Sequence, residues 1–269
     1  MPIAVVVGAN GFLGSGIVDE LINRNIEVIA VYNTQFGNIN KLAKLISNEP
    51  FLNSNFEPDY IFFAPGNYAN NHEELLKLNQ TLYLYSLKFR NSKFIYISST
   101  NVYGIHSNII SENSTYNNPG LYALSKLSGE FIVVGMPNYS IVRLTYVYGA
   151  SISNNSFIPQ IIKSAKSLNQ ITLFGNGSRM QDYIYIDDAV NICLRSAMMK
   201  ENDIYLGATG TSNSNKEVAE EISKWVECNI QYVGQDLGQS FHFNPQKTFD
   251  KLKWTNKISI SEGIKRMLR

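Results

Sequence analysis

The chain has 269 residues, a formal charge of +1, 44% hydrophobic and 17% charged residues, which suits one large domain or a domain with a smaller lobe. So small a charge leaves no footprint for nucleic acid or an anionic membrane, and the basic end Lys265–Arg269 reads as a helix terminus favoured by the helix dipole. Cys193 and Cys228 stand 35 residues apart with no Cys-x-x-Cys and no clustered His; the sequence predicts no metal site, no membrane span or secretion leader, and a reducing cytoplasmic setting.

In chain order, Ile3–Val7 is a continuous apolar run, the pattern of a strand buried on both faces. A glycine turn follows, then a helical spacing of Phe12, Leu13, Ile17, Leu21 and Ile22. Glu27–Tyr32 reads as a second strand, Asn40–Ile46 as a modest helix and Asp59–Ala64 as a third strand. A helix is predicted from His72 to Phe89, a strand over Lys93–Ser98, a helix over Leu121–Val133 and a strand over Ser140–Thr145. Strands alternating with helices imply a parallel sheet covered on both faces.

After Gly149 the pattern changes. A polar loop (Ser151–Ser156) precedes a helix over Phe157–Ser167. The turn Gly175–Ser178 leads to a strand over Asp182–Ile186, and Asp187–Met199 is a helix capped by either Asp. The stretch Gly207–Asn215 leads into a helix at Lys216–Val226, and a short helix closes the chain near Ser261–Leu268.

Gly8-Ala9-Asn10-Gly11-Phe12-Leu13-Gly14 follows a strand and opens a helix. In that context glycines permit the tight turn, the approach of backbone to a pyrophosphate and close helix–strand packing, while the helix N-terminus offers N–H groups to phosphate. Tyr122 and Lys126 are four residues apart and share a helix face. A free tyrosine is a poor base at neutral pH, and a neighbouring ammonium favours its phenolate. Such a pair can pass a proton to or from a carbon-bound oxygen.

The spacing Gly-x-x-Gly-x-x-Gly, with Ile97-Ser98-Ser99-Thr100-Asn101-Val102-Tyr103-Gly104, Pro119–Lys126, Arg143–Gly149 and Asp182–Asp188, resembles the extended short-chain dehydrogenases/reductases, the NAD-dependent epimerase/dehydratase family, in its nucleotide-sugar branch. The resemblance runs through nearly the whole chain. It implies an α/β fold with a Rossmann-type doubly wound parallel sheet and a smaller C-terminal α/β substrate lobe. Residues 1–150 would form the dinucleotide-binding domain, with 182–206 returning to it, and 151–181 and 207–269 the lobe.

The resemblance also implies roles. Ser99, Tyr122 and Lys126 would be catalytic, Ser99 holding the substrate oxygen. Cofactor contacts would come from Gly8, Asn10, Gly11, Phe12, Leu13, Gly14, Tyr32, Asn33, Thr34, Ala64, Pro65, Ser98 and Thr145, with Tyr122 and Lys126. Substrate contacts would come from Thr100, Asn101, Tyr146, Phe157, Arg179 and Gln181. Asn79 matches an asparagine that supports the active-site helix. Arg143 reads as a sheet buttress, with cofactor contact the alternative.

NAD-binding folds place a carboxylate after the second strand for the ribose hydroxyl; Tyr32-Asn33-Thr34-Gln35 has none, and Lys41 and Lys44 follow. NADP(H) is therefore expected over NAD(H). The short span from Asn33 to Asp59 implies that the family's next strand is reduced or missing. Thr100 and Asn101 stand where dehydratases of the family carry Asp-Glu, and Gln181 where an arginine contacts the diphosphate; Arg179, two residues earlier on the same strand face, could reach that place. Tyr146 replaces an asparagine. The expected activity is 4-keto reduction of a nucleotide-activated sugar, with a NAD-dependent 4-epimerase and a non-catalytic dinucleotide sensor as alternatives. A homodimer is expected through the helices His72–Phe89 and Leu121–Val133, with Leu75, Leu78, Leu82, Tyr85 and Phe89 on the seam or in the core.

Overall fold

The computed structural model describes residues 2–33, 35, 37, 39–66, 71–152 and 154–269; Thr34, expected at the cofactor, lies outside them. Strands β1 (Ile3–Val7), β2 (Glu27–Tyr32), β3 (Lys44–Ser47), β4 (Tyr60–Phe63), β5 (Lys93–Ser99), β6 (Tyr139–Leu144) and β10 (Asp203–Gly207) form one seven-stranded sheet. Its order is β10-β6-β5-β4-β1-β2-β3 and every pairing is parallel. Strand order reverses between β1 and β4, so a crevice opens at the carboxyl ends of those strands, where α/β sheets place their ligands.

Helices α1 (Phe12–Asn23) and α6 (Ile186–Ala197) cover one face; α2 (Asn48–Leu52), α3 (His72–Lys88) and α4 (Leu121–Val134) cover the other. The core divides accordingly. Ala4, Val6, Ala30 and Val142 face Ile17, Leu21, Val190 and Cys193. Val5, Ile29, Phe63 and Phe94 face Leu82, Tyr85 and Val133.

Among the remaining elements, β7 (Tyr146–Tyr148), α5 (Phe157–Leu168), β8 (Gln170–Phe174), β9 (Met180–Tyr185), β11 (Ser212–Ser214), α7 (Asn215–Ser223), β12 (Asn229–Val233) and α9 (Ile260–Leu268) build a smaller layer, whereas α8 (Gln246–Leu252) packs its Phe249 and Leu252 into the core of the main sheet beside α6. β9 lies between parallel β7 and antiparallel β11, and β8 pairs with β12. Asp182, fully buried on β9, holds the returning chain through the amides of Thr209 and Gly210.

Several expectations are corrected and one open alternative is decided. Asn40–Ile46 is not helical: Lys44–Ser47 is a short edge strand on β2, so the strand expected to be reduced or missing is present at four residues. Its apolar spacing fits either period, and the open edge of β2 decides. Neither Asp187 nor Asp188 caps α6, which begins at Ile186; Asp188 instead accepts from the amides of Lys257 and Ile258, and Asp187 pairs with Arg266. For Leu75, Leu82, Tyr85 and Phe89, open between seam and core, the core alternative is the one observed: all four are buried. The exposed apolar residues on those helices are Leu76, Tyr83, Leu84 and Leu87 of α3 and Leu124, Phe131 and Val134 of α4. Finally, the segment after Gly149 holds strands β8, β11 and β12, which run only three to five residues and so carry too little pattern to be read from sequence.

Candidate active site

The glycine loop is a backbone device. Gly8 sits at φ +76°, where residues with a side chain are strained, and its amide donates to Val31 O at 3.0 Å. A Cβ on Gly14 would lie 2.1 Å from Gly8 O, so the first turn of α1 passes closer to the loop than any other residue type allows. A Cβ on Gly8 would press on Pro65, which with Ala64 follows β4. Helix α1 has no side-chain cap and no acid in its first turn. Its leading amides and positive dipole end are left for an anion, the condition a dinucleotide pyrophosphate requires. Gly11, Phe12 and Leu13 form that turn, with Asn10 exposed on the loop.

Tyr32 ends β2 and Asn33 follows it. Neither carries a charge, so the second strand offers hydrogen bonds and no carboxylate to a ribose. Lys44, one of the two lysines expected near a ribose phosphate, stacks its ammonium on Phe56, 4.4 Å from the ring centroid.

Ser99 is the last residue of β5, and its Oγ accepts from the amide of Asn101 at 3.2 Å in the 3-10 turn Thr100–Tyr103. Ser98 points to the other face, where its hydroxyl donates to Glu130 Oε1 at 2.6 Å. Successive strand residues face opposite ways, so of the two serines Ser99 is on the face away from that carboxylate. Thr145 is committed to the framework: its Oγ1 donates to Asp182 O at 2.9 Å.

Tyr122 lies in the first turn of α4, half-buried, and Lys126 one turn later is buried. Lys126 Nζ donates to Ile97 O at 2.8 Å and Pro65 O at 3.1 Å, and lies 6.0 Å from the centre of the Tyr122 ring. Those two carbonyls belong to the ends of neighbouring strands, so the lysine ties α4 to the crevice. Burial lowers its pKa to about 8, with the Glu130 carboxylate opposing. At neutral pH it still carries its proton. Asn79 of α3 donates to the Ser125 carbonyl at 3.1 Å and steadies the same turn.

Glu130 was not singled out from the sequence. It lies one turn beyond Lys126 and is buried with Arg143, which grips it with two donors, Nε at 2.9 Å and Nη2 at 2.6 Å. Arg143 also donates to Tyr116 Oη. Arg143 is thus a buttress between β6 and α4. The available signal was two lone charges, one on an apolar helix face and one in an apolar strand.

Tyr146, Phe157, Arg179 and Gln181 come together with Tyr148, Tyr183 and neighbours around a cavity of about 200 Å³. Tyr146 and Tyr183 stand side by side on β7 and β9 with ring centroids 6.0 Å apart. Arg179 Nε meets Asp236 Oδ2 at 3.3 Å. Thr100 is buried and Asn101 exposed at the turn after Ser99. Among the described residues no group of His, Cys, Asp and Glu could hold a metal, and no helix is long and apolar enough to cross a membrane.

A profile described as the NAD dependent epimerase/dehydratase family matches residues 4–206. The chain belongs to this family. Among its relatives, UDP-glucuronic acid decarboxylase 1 of Arabidopsis thaliana is 26% identical over 98% of this chain and 68% of that protein. A putative UDP-glucose 4-epimerase of Methanocaldococcus jannaschii is 25% identical over 98% of this chain and 96% of that one. Of the solved structures, MoeE5 in complex with UDP-glucuronic acid and NAD superposes with a TM-score of 0.87, at 18% identity, over 100% of this chain and 98% of that one. The Rossmann-like parallel sheet expected from the sequence is the fold these epimerase/dehydratase structures share with it.

Proposed function

We propose that this member of the epimerase/dehydratase family is an NAD(P)-dependent oxidoreductase of nucleotide-activated sugars, and that it reduces a 4-keto sugar. The observation that carries the reading is the placement of Tyr122 and Lys126 on one face of α4, with Lys126 anchored to Pro65 beside the glycine loop and to Ile97 two residues before Ser99. The dinucleotide, when bound at the uncapped N-terminus of α1, supplies the hydride. Tyr122 donates a proton to the oxygen on which charge develops, and Ser99 Oγ holds that oxygen by a hydrogen bond. The ammonium of Lys126 stabilises the phenolate left on Tyr122. Thr100 and Asn101 offer no carboxyl pair for elimination, which argues against a dehydratase.

Tyr122→Phe removes the proton donor and is expected to lower kcat by about 10²–10⁴-fold while dinucleotide affinity, read by fluorescence titration, stays within about two-fold. Wild-type turnover in that variant overturns the assignment. The missing carboxylate at the end of β2 supports NADP(H), although Lys44 is engaged elsewhere; a higher kcat/KM with NADH reverses that preference.

A 4-epimerase is the second reading, favoured by the epimerase among the relatives. Stoichiometric NAD(H) retained through purification would select it over a reductase. We also propose a homodimer through the exposed apolar residues of α3 and α4; a monomer in sedimentation counts against it.

A further inference from the structure

We propose that the cavity between β7, α5 and β9 receives an uncharged, hydroxyl-bearing ring of the substrate, and that Asp236 keeps Arg179 from serving as a diphosphate anchor. This deepens the nucleotide-sugar reading and rests on it.

The first observation is charge. Arg179 is the cation on the cavity wall, and Asp236 already meets it at 3.3 Å. Asp236 is itself held in place: Oδ1 accepts from the amide of Gly238 at 2.8 Å and Oδ2 from Asn215 Nδ2 at 3.4 Å. The guanidinium lies across Gly238, where a Cβ would come within 1.9 Å of Nη1. The pair is therefore built into the loop and carries no net charge before a ligand arrives. A diphosphate placed on Arg179 would gain the cation and also face the carboxylate behind it, which weakens the net attraction, although Arg179 Nε itself is buried with no hydrogen-bond partner.

The second observation is an unused acceptor. Gln181 lines the cavity and is 5% exposed. Its Nε2 donates to Gln239 O at 2.9 Å, and a carbonyl partner can only accept, so the amide nitrogen is fixed on that side. Its Oε1 is buried with no partner. A buried orphan acceptor costs about 1–3 kcal/mol, and a ligand hydroxyl would relieve it. Arg179 supplies donors, and Tyr146, Phe157 and Tyr183 supply apolar ring faces. At about 200 Å³ the space falls short of the roughly 300 Å³ at which sites for drug-sized ligands begin; it suits one ring.

The test is calorimetric titration of the protein, saturated with NADP+, with UDP and with UDP-glucose. UDP-glucose is expected to bind about ten-fold more tightly than UDP, and UDP binding to depend only weakly on salt. Asp236→Asn restores a net cation and is expected to tighten UDP about ten-fold. Gln181→Leu is expected to weaken UDP-glucose about ten-fold: with UDP unaffected the ring is the glycosyl unit, and with UDP weakened equally it is the ribose. Thermal melts establish that both variants are folded. UDP affinity unmoved by Asp236→Asn, or both affinities unmoved by Gln181→Leu, overturns the proposal, as does failure of UDP-glucose to bind. Titration registers binding without turnover. A protein that binds as described yet transfers no hydride breaks the oxidoreductase reading and leaves this assignment standing.

Discussion

Arg143 and Arg179 each meet a carboxylate, in opposite settings. Arg143 and Glu130 are 1% and 5% exposed and joined by two short hydrogen bonds between sheet and helix. Arg179 and Asp236 are 29% and 17% exposed, with a single longer contact in a loop. The first pair is part of the scaffold that fixes α4, and through it Tyr122 and Lys126. The second pair involves the cavity wall, where Arg179 sits, outside the main sheet. The same contrast runs through the whole site. In the proposed reading, backbone geometry and buried charge on the sheet side set the chemistry, and side chains on the lobe side set what is held.

The largest expected effect tests that contrast directly. Glu130→Ala leaves Arg143 charged and buried, and should cost about 3–5 kcal/mol in urea unfolding. Arg179→Met breaks a partly exposed pair with one long contact and should cost about 1 kcal/mol or less. Equal costs would erase the distinction between scaffold and wall.

Two glycines sharpen it at smaller magnitude. In Gly14→Ala the new Cβ meets the backbone carbonyl of Gly8 at 2.1 Å, and neither helix nor loop can yield cheaply. A loss of about 1–3 kcal/mol is expected, with weakened dinucleotide binding. In Gly238→Ala the Cβ meets the guanidinium end of Arg179, a long side chain that can shift where backbone cannot. Stability should stay within about 0.5 kcal/mol, measured by the same unfolding curves.

This division also explains what was legible in the sequence. The glycine loop could be read because its requirements are local: a strand, a turn and a helix within about twenty residues. Tyr122 and Lys126 could be read from their place among the glycine-loop and serine-loop motifs and the resemblance these carry, and helical periodicity sets the two on one face. Strands β1, β2, β4, β5 and β6 announced themselves as buried apolar runs. Glu130 escaped because its partner is 13 residues away on another element, and only the fold brings them together. Asp236 escaped for the same reason, 57 residues beyond Arg179. The edge strand β3 was misread as a helix because four residues of mixed spacing carry too little periodicity, and the open edge of β2 outweighed it. The stripe of α3 stays open between seam and core in the sequence because an apolar helix face does not say what covers it.

A last test concerns pH. On the sheet side, burial lowers Lys93, like Lys126, to about 8. Below that pH both states hold the proton. Above it the folded chain releases the proton while the unfolded chain, titrating near 10.5, keeps it, so stability rises with pH. Above pH 9 the buried Cys193 thiol, pushed up by desolvation, works the other way. The lysine contribution is therefore clearest from about pH 8 to 9. On the lobe side, burial raises Asp182 to about 6 against the hydrogen bonds from Thr209 and Gly210. Between about pH 4 and 6 the folded chain holds a proton that the unfolded chain has lost, so this group makes stability fall as pH rises. Subtracting the urea-unfolding curves of Lys93→Met from wild type should remove an upward slope on the alkaline side. Asp182→Asn should remove a downward slope on the acid side. If Asp182→Asn instead steepens the fall across that window, the carboxylate is stabilised ionised by its amides, and the lobe is anchored by charge as firmly as the sheet.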